Sequence, residues 1–214
     1  MKSNYDNELD RKRIKYCAAG FIFFLFGYYL ASIIGTLSGP SIIQESWIDQ
    51  SIKFISWSIL IYFSYYIFLF FGYLTLPGVG LPQLWISLWM SSIIAWAYFI
   101  AFPTSLPRPG TDMMGPWESL YKLLYYFDLP TNCTPSLHCC FALLISLAHF
   151  QKKSKHHVLI MVWCLSIMIS TMSTKQHYAI DVATGILLAL VCWPVTGIIC
   201  QKLKERKMWP YTNQ

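Results

Sequence analysis

Charge is what this sequence has least of. Asp, Glu, Lys and Arg make up 12% of its 214 residues, roughly half the share usual in a soluble domain. A chain so poor in charge cannot dress a globular surface, which excludes an ordinary water-soluble enzyme. It has no low-complexity tract, Gly/Ser-rich linker or internal repeat, so residues 1–214 read as a single domain. The seven cysteines form no C-x-x-C pair and no zinc-ligand spacing, and neither a disulfide framework nor a structural metal follows. Six of them, Cys17, Cys139, Cys140, Cys164, Cys192 and Cys200, fall in or beside apolar runs, where cysteine packs as a small hydrophobe. A nucleic-acid partner is excluded as well, because no basic surface interleaved with aromatics lies outside those runs.

What the chain has instead is hydrophobic length. A bilayer span takes about 20 apolar residues. No charge occurs from Cys17 to Ser38, from Phe54 to Pro77 or from Leu81 to Phe102. Further apolar runs extend from about Pro135 to Phe150, from Val158 to Thr174 and from Tyr178 to Cys200. The first run is too long for the core of a secretory signal and no small-residue cleavage site follows, so it reads as a retained helix. The expected fold is therefore an all-α integral membrane protein with six transmembrane helices.

The net charge of +6 matters less than its distribution. Lys2, Arg11, Lys12, Arg13 and Lys15 precede the first run. Lys152, Lys153 and Lys155 separate the fourth from the fifth, and Lys202, Lys204, Arg206 and Lys207 follow the sixth. With six spans these clusters share one side, which the positive-inside rule makes the cytoplasm, together with both termini. The longest connection, about Pro103 to Thr134, then lies on the opposite, periplasmic or lumenal side. It opens with prolines and ends in "PWESLYKLLYYF". Pro116 suits a first helical turn, Glu118 and Lys122 are spaced for an ion pair, and Trp117, Leu120, Leu124 and Phe127 can share an apolar face. An interfacial helix between spans three and four is expected there. Nothing in the sequence sets an oligomeric state.

Three pieces of sequence converge on that outer side: "LPRPG" with Arg108, "TPSLHCC" with His138, and "STMSTKQHYAIDV" with His177 and Asp181. Ionisable groups inside membrane segments are costly and mark functional sites. On one helix, His177 and Asp181 would be neighbours one turn apart. The carboxylate would fix the imidazole tautomer and leave the other nitrogen as nucleophile. Thr134 is a candidate cap for a helix with Pro135 in its first turn. The free amides around Ser136 would then receive phosphate. His138 would sit beside them as general acid, and Arg108 would clamp phosphate oxygens. His149, His156 and His157 fall on the cytoplasmic side and read as structural. A metal held by His138, His177 and Asp181 lacks any further ligand, so no metal and no cofactor is expected.

This combination resembles the type-2 phosphatidic acid phosphatase superfamily. Its three motifs are a lysine followed after six residues by Arg-Pro; P-S-x-H; and Ser-Arg followed after five residues by His-x-x-x-Asp. Pro135, Ser136, Leu137 and His138 match the second in full, Ser170, His177 and Asp181 hold their places in the third, and Arg108 and Pro109 remain of the first. The motif-bearing region is about residues 102–185. Ala101 stands where the family has its lysine and Thr171 where it has its arginine. Lys175 either restores some of that charge or is a solvated interfacial lysine. The wording around "QHY..DV" is similar to the inositol phosphorylceramide and sphingomyelin synthase branch.

The resemblance implies an enzyme acting on a lipid phosphate in the membrane. His177 would attack phosphorus with the help of Asp181, giving a phosphohistidine. His138 would protonate the leaving group, while Arg108, the Ser136 turn and Lys175 would hold phosphate. Hydrolysis of a lipid phosphomonoester or an isoprenoid diphosphate is the expected reaction. The alternatives are a lipid headgroup phosphotransferase and a catalytically silent lipid-binding relative.

Overall fold

The computed structural model describes residues 4–206, with the side chains of residues 17–206. Lys2 and Lys207, and the side chains of Arg11, Lys12, Arg13 and Lys15, lie outside the described residues. In chain order the elements are α1 (Asn4–Leu37), β1 (Ser41–Ile42), α2 (Trp47–Ser51), α3 (Ile59–Thr75), α4 (Leu81–Ala101), β2 (Thr104–Ser105), α5 (Glu118–Phe127), α6 (Leu137–Gln151), α7 (His157–Ser173) and α8 (Ala179–Glu205). Helix makes up 77% of the structure and sheet almost none, so the fold is all-α.

Each apolar run of the sequence is a helix, as a backbone removed from water requires, since a helix satisfies its own polar groups. Among the described residues four segments are long and apolar enough to cross a membrane: Cys17–Leu37, Ser56–Thr75, Gly78–Ala101 and Ala179–Glu205. The helices α6 and α7 are shorter, at 15 and 17 residues. At about 1.5 Å per residue they reach roughly 22 and 25 Å.

The bundle is built around α6. It packs against α3, α4, α7 and α8, and ten of its fifteen residues are buried. A helix enclosed on all sides needs no polar face, which is why Leu137–Gln151 is apolar all round. Close approach depends on small residues: a Cβ on Gly72 would run into Ile145, and one on Gly27 would come within 2.5 Å of the Trp96 ring. Hydrogen bonds then pin neighbouring helices. Ser87 meets Thr196 at 2.6 Å and Gln83 donates to the Trp193 carbonyl at 3.0 Å, joining α4 to α8. The Trp163 indole donates to Ser64 at 2.8 Å, joining α7 to α3. His149 is fully buried, with Nδ1 2.6 Å from the Ser154 hydroxyl and Nε2 2.8 Å from the Gly72 carbonyl.

A cap of connections closes the end of the bundle at which α6 and α8 begin. The strands β1 and β2 pair in parallel, Ser41 with Thr104 and Ile42 with Ser105, and Thr104 bridges onward to Asn132. This small sheet was not signalled by the sequence. The segment α5 starts two residues later than its proline suggests, because a 3-10 turn over Thr111–Trp117, with Gly115 at φ 54°, carries Pro116 before the helix. The Glu118–Lys122 pair forms at 2.6 Å. Tyr121 and Leu124 of α5 are buried against Ile59, Tyr62 and Met114, with Trp117 and Leu120 beside them. Phe127 departs from the expected apolar face and is 55% exposed.

His149→Phe keeps the ring volume but removes both bonds, leaving the Gly72 carbonyl with the Leu76 amide and the Ser154 hydroxyl with the His156 amide. We expect a loss of about 1–3 kcal/mol, seen as a fall of about 2–4 °C in the thermal midpoint per kcal/mol. An unchanged midpoint in detergent would show that these bonds do not hold α6 against α3.

Candidate active site

The second and third motif segments are locked together by one carboxylate. Asp181 is fully buried. Its Oδ1 accepts from the Thr134 hydroxyl and its Oδ2 from the Tyr178 amide at 2.9 Å. Its own carbonyl accepts from the Ser136 amide at 3.0 Å. Asp181 is thus the third residue of α8 in a capping box around Tyr178, a role that compensates the free amides of a helix start. One turn further on, a Cβ on Gly185 would collide with the Ser136 carbonyl. Only glycine lets α8 lie this close to the start of α6.

The expectation that His177 and Asp181 share a helix face needs correcting. His177 precedes α8, in a turn where Lys175 has φ 55°, and its amide donates to the Thr171 carbonyl at 3.0 Å. The turn folds the imidazole back so that Nδ1 faces Asp181 Oδ2 at 3.5 Å. The expected cap of α6 also moves: Ser136, not Thr134, is its N-cap, accepting from the Cys139 amide at 3.4 Å. Ser136 is fully buried, so its hydroxyl serves the helix start.

His138 lies in the first turn of α6. Its ring packs on Tyr65 and Tyr62 at 4.5 and 4.8 Å between centroids, and the His177 ring is 5.7 Å away. Both histidines line an apolar cavity of about 410 Å³, together with Arg108, Asp128, Asn132, Cys133 and Gln176. Among the described residues five buried side-chain polar atoms lack a hydrogen bond, and four of them, Arg108 Nε, Asn132 Oδ1, Gln176 Oε1 and His177 Nδ1, belong to residues of this cavity. Buried polar groups are paired almost everywhere else in proteins. Unpaired polar atoms are thus concentrated at this cavity.

Arg108 is already engaged. Its Nη1 donates to the Asp128 carbonyl at 2.6 Å and its Nη2 to Asp128 Oδ2 at 3.3 Å, while the guanidinium lies 4.7 Å above the Tyr125 ring. The other carboxylate oxygen of Asp128 accepts from Tyr28 of α1 at 2.7 Å. Lys175 is not among the residues lining the histidine cavity. Its Nζ donates to the Asp49 carbonyl at 2.7 Å and pairs with Glu45 at 3.7 Å. It borders a second opening of about 600 Å³ with Glu45 and Tyr178, and Arg108 borders both spaces.

The sequence reading missed Asp49. This residue is 3% exposed. Its Oδ1 accepts from the Ala179 amide, the first of α8, at 2.7 Å, and its Oδ2 from the Ser46 amide at 2.9 Å. Burial by itself would raise its carboxyl, yet the bonds from Ser46 and Ala179 and the Lys175 charge hold it below the ordinary carboxylate value. The pattern Ser46-x-x-Asp49, a capping box, is the signal that pointed to it. Asp128 carried no signal beyond being an acid in the outer connection, and nothing singled out Tyr62 and Tyr65 among fourteen tyrosines. Cys133 also lines the cavity and is buried.

A family model described as the PAP2 superfamily matches residues 37–195. The chain belongs to this superfamily. No curated protein matches it. Every residue of the motif segments falls inside the PAP2 match, whereas all of α1 before Leu37, including Tyr28, lies outside it. At the two positions that depart from the superfamily motifs, Ala101 sits at the exposed end of α4. Thr171 is fully buried, and its carbonyl accepts from the amides of Gln176 and His177, both at 3.0 Å.

Two outcomes test this geometry without a substrate. Gly185→Ala forces α8 from the Ser136 carbonyl and should destabilise the protein by about 1–3 kcal/mol, read as a lowered thermal midpoint; an unchanged midpoint would mean the contact relaxes freely. Asp49 has a depressed folded value. Its contribution to stability is therefore complete above its unfolded value near pH 4 and is lost as pH falls through the folded one. Asp49→Asn should lower the midpoint at neutral pH and flatten its fall in acid, whereas parallel pH curves for the two proteins would exclude this role.

Proposed function

We propose that this PAP2 protein is a lipid phosphate phosphatase that works through a phosphohistidine on His177. Superfamily membership supports a phosphatase or related phosphotransferase. The observation that carries the finer reading is the histidine pair, 5.7 Å apart at the polar head of an apolar cavity. With Nδ1 turned to Asp181, the proton of His177 belongs on that nitrogen, and Nε2 is left with the lone pair. Nε2 attacks phosphorus in line, the P–N bond forming as the P–O bond to the lipid alcohol breaks. His138 gives its proton to the departing oxygen. Water then attacks the phosphohistidine, His138 takes its proton back, and the P–N bond breaks to release phosphate. Arg108 supplies the positive field for the equatorial oxygens, since phosphoryl transfer depends chiefly on positioning and charge.

In this reading α6 and α7 also cross the membrane, giving six spans with both termini in the cytoplasm. The shortness of α6 fits, because the irregular stretch from Thr131 to Ser136 before it is buried in protein, the one setting in which such backbone is tolerated at membrane depth. The outer segment α5, with Leu123 and Tyr126 47% and 80% exposed, lies in the interface.

A second reading, transfer of a phosphorylated headgroup to a lipid alcohol, is favoured by charge balance. Arg108 is the one Lys or Arg among the described residues lining the cavity, and it is paired with Asp128. That arrangement suits the single charge of a phosphodiester better than the two of a monoester. The outer opening bordered by Glu45, Lys175 and Tyr178 offers room for a second polar reactant.

The test is phosphate release in detergent with EDTA present, from phosphatidate, phosphatidylglycerophosphate and undecaprenyl diphosphate. His177→Ala should abolish both turnover and an acid-labile phosphoenzyme in rapid quench. His138→Ala should slow turnover by about 10²–10⁴-fold. Full turnover in His177→Ala with no trapped phosphoenzyme would sink the mechanism. A new phospholipid appearing only when an acceptor alcohol is supplied would move the assignment to the transferase.

A further inference from the structure

Arg108 does not face a ligand alone. Both of its terminal nitrogens are on one residue, Nη1 on the Asp128 carbonyl at 2.6 Å and Nη2 on Asp128 Oδ2 at 3.3 Å. Its Nε is buried and has no partner. A phosphate entering the cavity therefore meets a guanidinium that already carries a carboxylate on its terminal nitrogens. Arg108 and Asp128 are the only Asp, Glu, Lys or Arg side chains among the described residues lining the cavity, so their formal charges cancel. Asp181, fully buried and facing His177 at 3.5 Å, adds a further negative charge behind that ring.

Asp128 is itself held from α1. The Tyr28 hydroxyl donates to its other carboxylate oxygen, Oδ1, at 2.7 Å. Around that bond α1 grips the segment 127–132. Tyr29 donates to the Phe127 carbonyl at 2.8 Å, the Ser32 and Thr131 hydroxyls meet at 2.8 Å, and the Asn132 side-chain amide donates to the Tyr28 carbonyl at 3.1 Å. The carboxylate is thus fixed between a phenol of α1 and the guanidinium. The Arg108 and Asp128 side chains are 13% and 22% exposed, and salt screens so enclosed a pair much less than a surface one.

We propose that Tyr28 and Asp128 set the charge this site accepts. Asp128 is a specificity-determining residue that disfavours a second negative charge on the bound phosphate group, and Tyr28 is a positioning residue that acts through it. The inference rests on the preceding reading only in placing phosphate between Arg108 and the histidine pair, and it applies to hydrolysis and to headgroup transfer alike. A phosphate diester carries one negative charge, whereas a monoester carries about 1.5–2 at neutral pH. The second charge is repelled by Asp128 and finds no second cation. For two charges on either side of one guanidinium, Coulomb's law with an effective dielectric constant of about 20 makes this at least about tenfold in relative affinity. The Tyr28 bond draws on part of the carboxylate charge. Without it, that charge bears on Arg108 and the ligand alone.

The test compares two non-hydrolysable probes with the same chain, dodecylphosphonate and its monomethyl ester. In mildly alkaline buffer the first carries two charges and the second one. Dissociation constants are measured by calorimetry in one nonionic detergent, and the affinity ratio of the two probes is formed for each variant. Partition into detergent then cancels between variants, and general damage to the fold leaves the ratio where it was. Asp128→Asn should shift the ratio towards the doubly charged probe at least about tenfold. Asp128→Glu, which keeps the charge, should stay near the wild-type ratio. Tyr28→Phe should shift it the opposite way, and should leave it unchanged in the Asp128→Asn background, as expected of two residues that act as one. A ratio unmoved by Asp128→Asn, an equal shift in Asp128→Glu, or binding of neither probe would overturn the proposal. An effect of Tyr28→Phe that survives in the Asp128→Asn background would remove Tyr28 from it. Phosphate release from phosphatidate is followed in the same variants. Release that His177→Ala abolishes, with a ratio indifferent to Asp128→Asn, would keep the phosphohistidine reading and overturn the charge selection. The expected shifts without any release or transfer would keep the charge selection and remove the catalytic reading instead.

Discussion

The arrangement depends on keeping one buried charge satisfied. A carboxylate fully enclosed by protein is tolerated only where donors replace the water it has lost. Asp181 finds them in the Thr134 hydroxyl and the Tyr178 amide, with the His177 ring facing it at 3.5 Å. Those donors come from two segments far apart in sequence, the approach to α6 and the turn before α8. Satisfying the charge therefore draws the two histidine-bearing segments together. The Ser136 amide on the Asp181 carbonyl and the bare face of Gly185 complete the contact. Removal of any one donor would leave part of a buried charge exposed to apolar surroundings, which is why such networks tend to be complete or absent.

A second layer holds the first. The connection between α1 and α3 folds over the His177 turn, Asp49 taking the Ala179 amide on one side and presenting its carbonyl to Lys175 on the other. Ile55 donates to the Ser173 carbonyl at 2.9 Å, and Ser173 to the Ser58 hydroxyl at 2.9 Å. The left-handed backbone at Lys175, unfavourable for a residue with a side chain, is over-determined by these bonds. A turn gripped from both ends presents the imidazole with little freedom, and positional freedom of a reacting group is what catalysis by proximity must remove.

The sequence announced the helices because each apolar run is long and uncharged, and such a run in this solvent has one backbone solution. It announced Arg108, His138, His177 and Asp181 because a few ionisable residues stand out against so apolar a background. What it concealed are relations that depend on folding back. The turn that takes His177 off the helix rests on the Thr171 carbonyl, which no side-chain pattern records. The turn at Ser136 was legible as a helix start, but not that the Ser136 hydroxyl itself caps that helix. Lys175 looked available as a replacement cation because its partners, Glu45 and Asp49, are some 130 residues away in the chain. Asp128 was invisible for the same reason, since its significance lies in touching Arg108 and Tyr28.

That last contact bears on what the missing cations mean. A motif arginine at position 171 would have to be accommodated at a site with no exposed surface, against Cys139, whose sulfur lies 3.9 Å from the Thr171 hydroxyl. The Asp181 carboxylate is already engaged by the Thr134 hydroxyl and the Tyr178 amide. Threonine instead turns its hydroxyl to the Met168 carbonyl at 2.7 Å and leaves its own carbonyl to shape the His177 turn. The site is thereby reduced to one guanidinium, and that guanidinium is held by Asp128 at 3.3 Å. A phosphate entering this space competes with a carboxylate for the same donors. It gains little net attraction from charge alone, and its affinity has to come from elsewhere. The apolar lining beneath the histidines is the feature able to supply it, and on the proposed reading that contribution falls to the hydrocarbon part of the ligand.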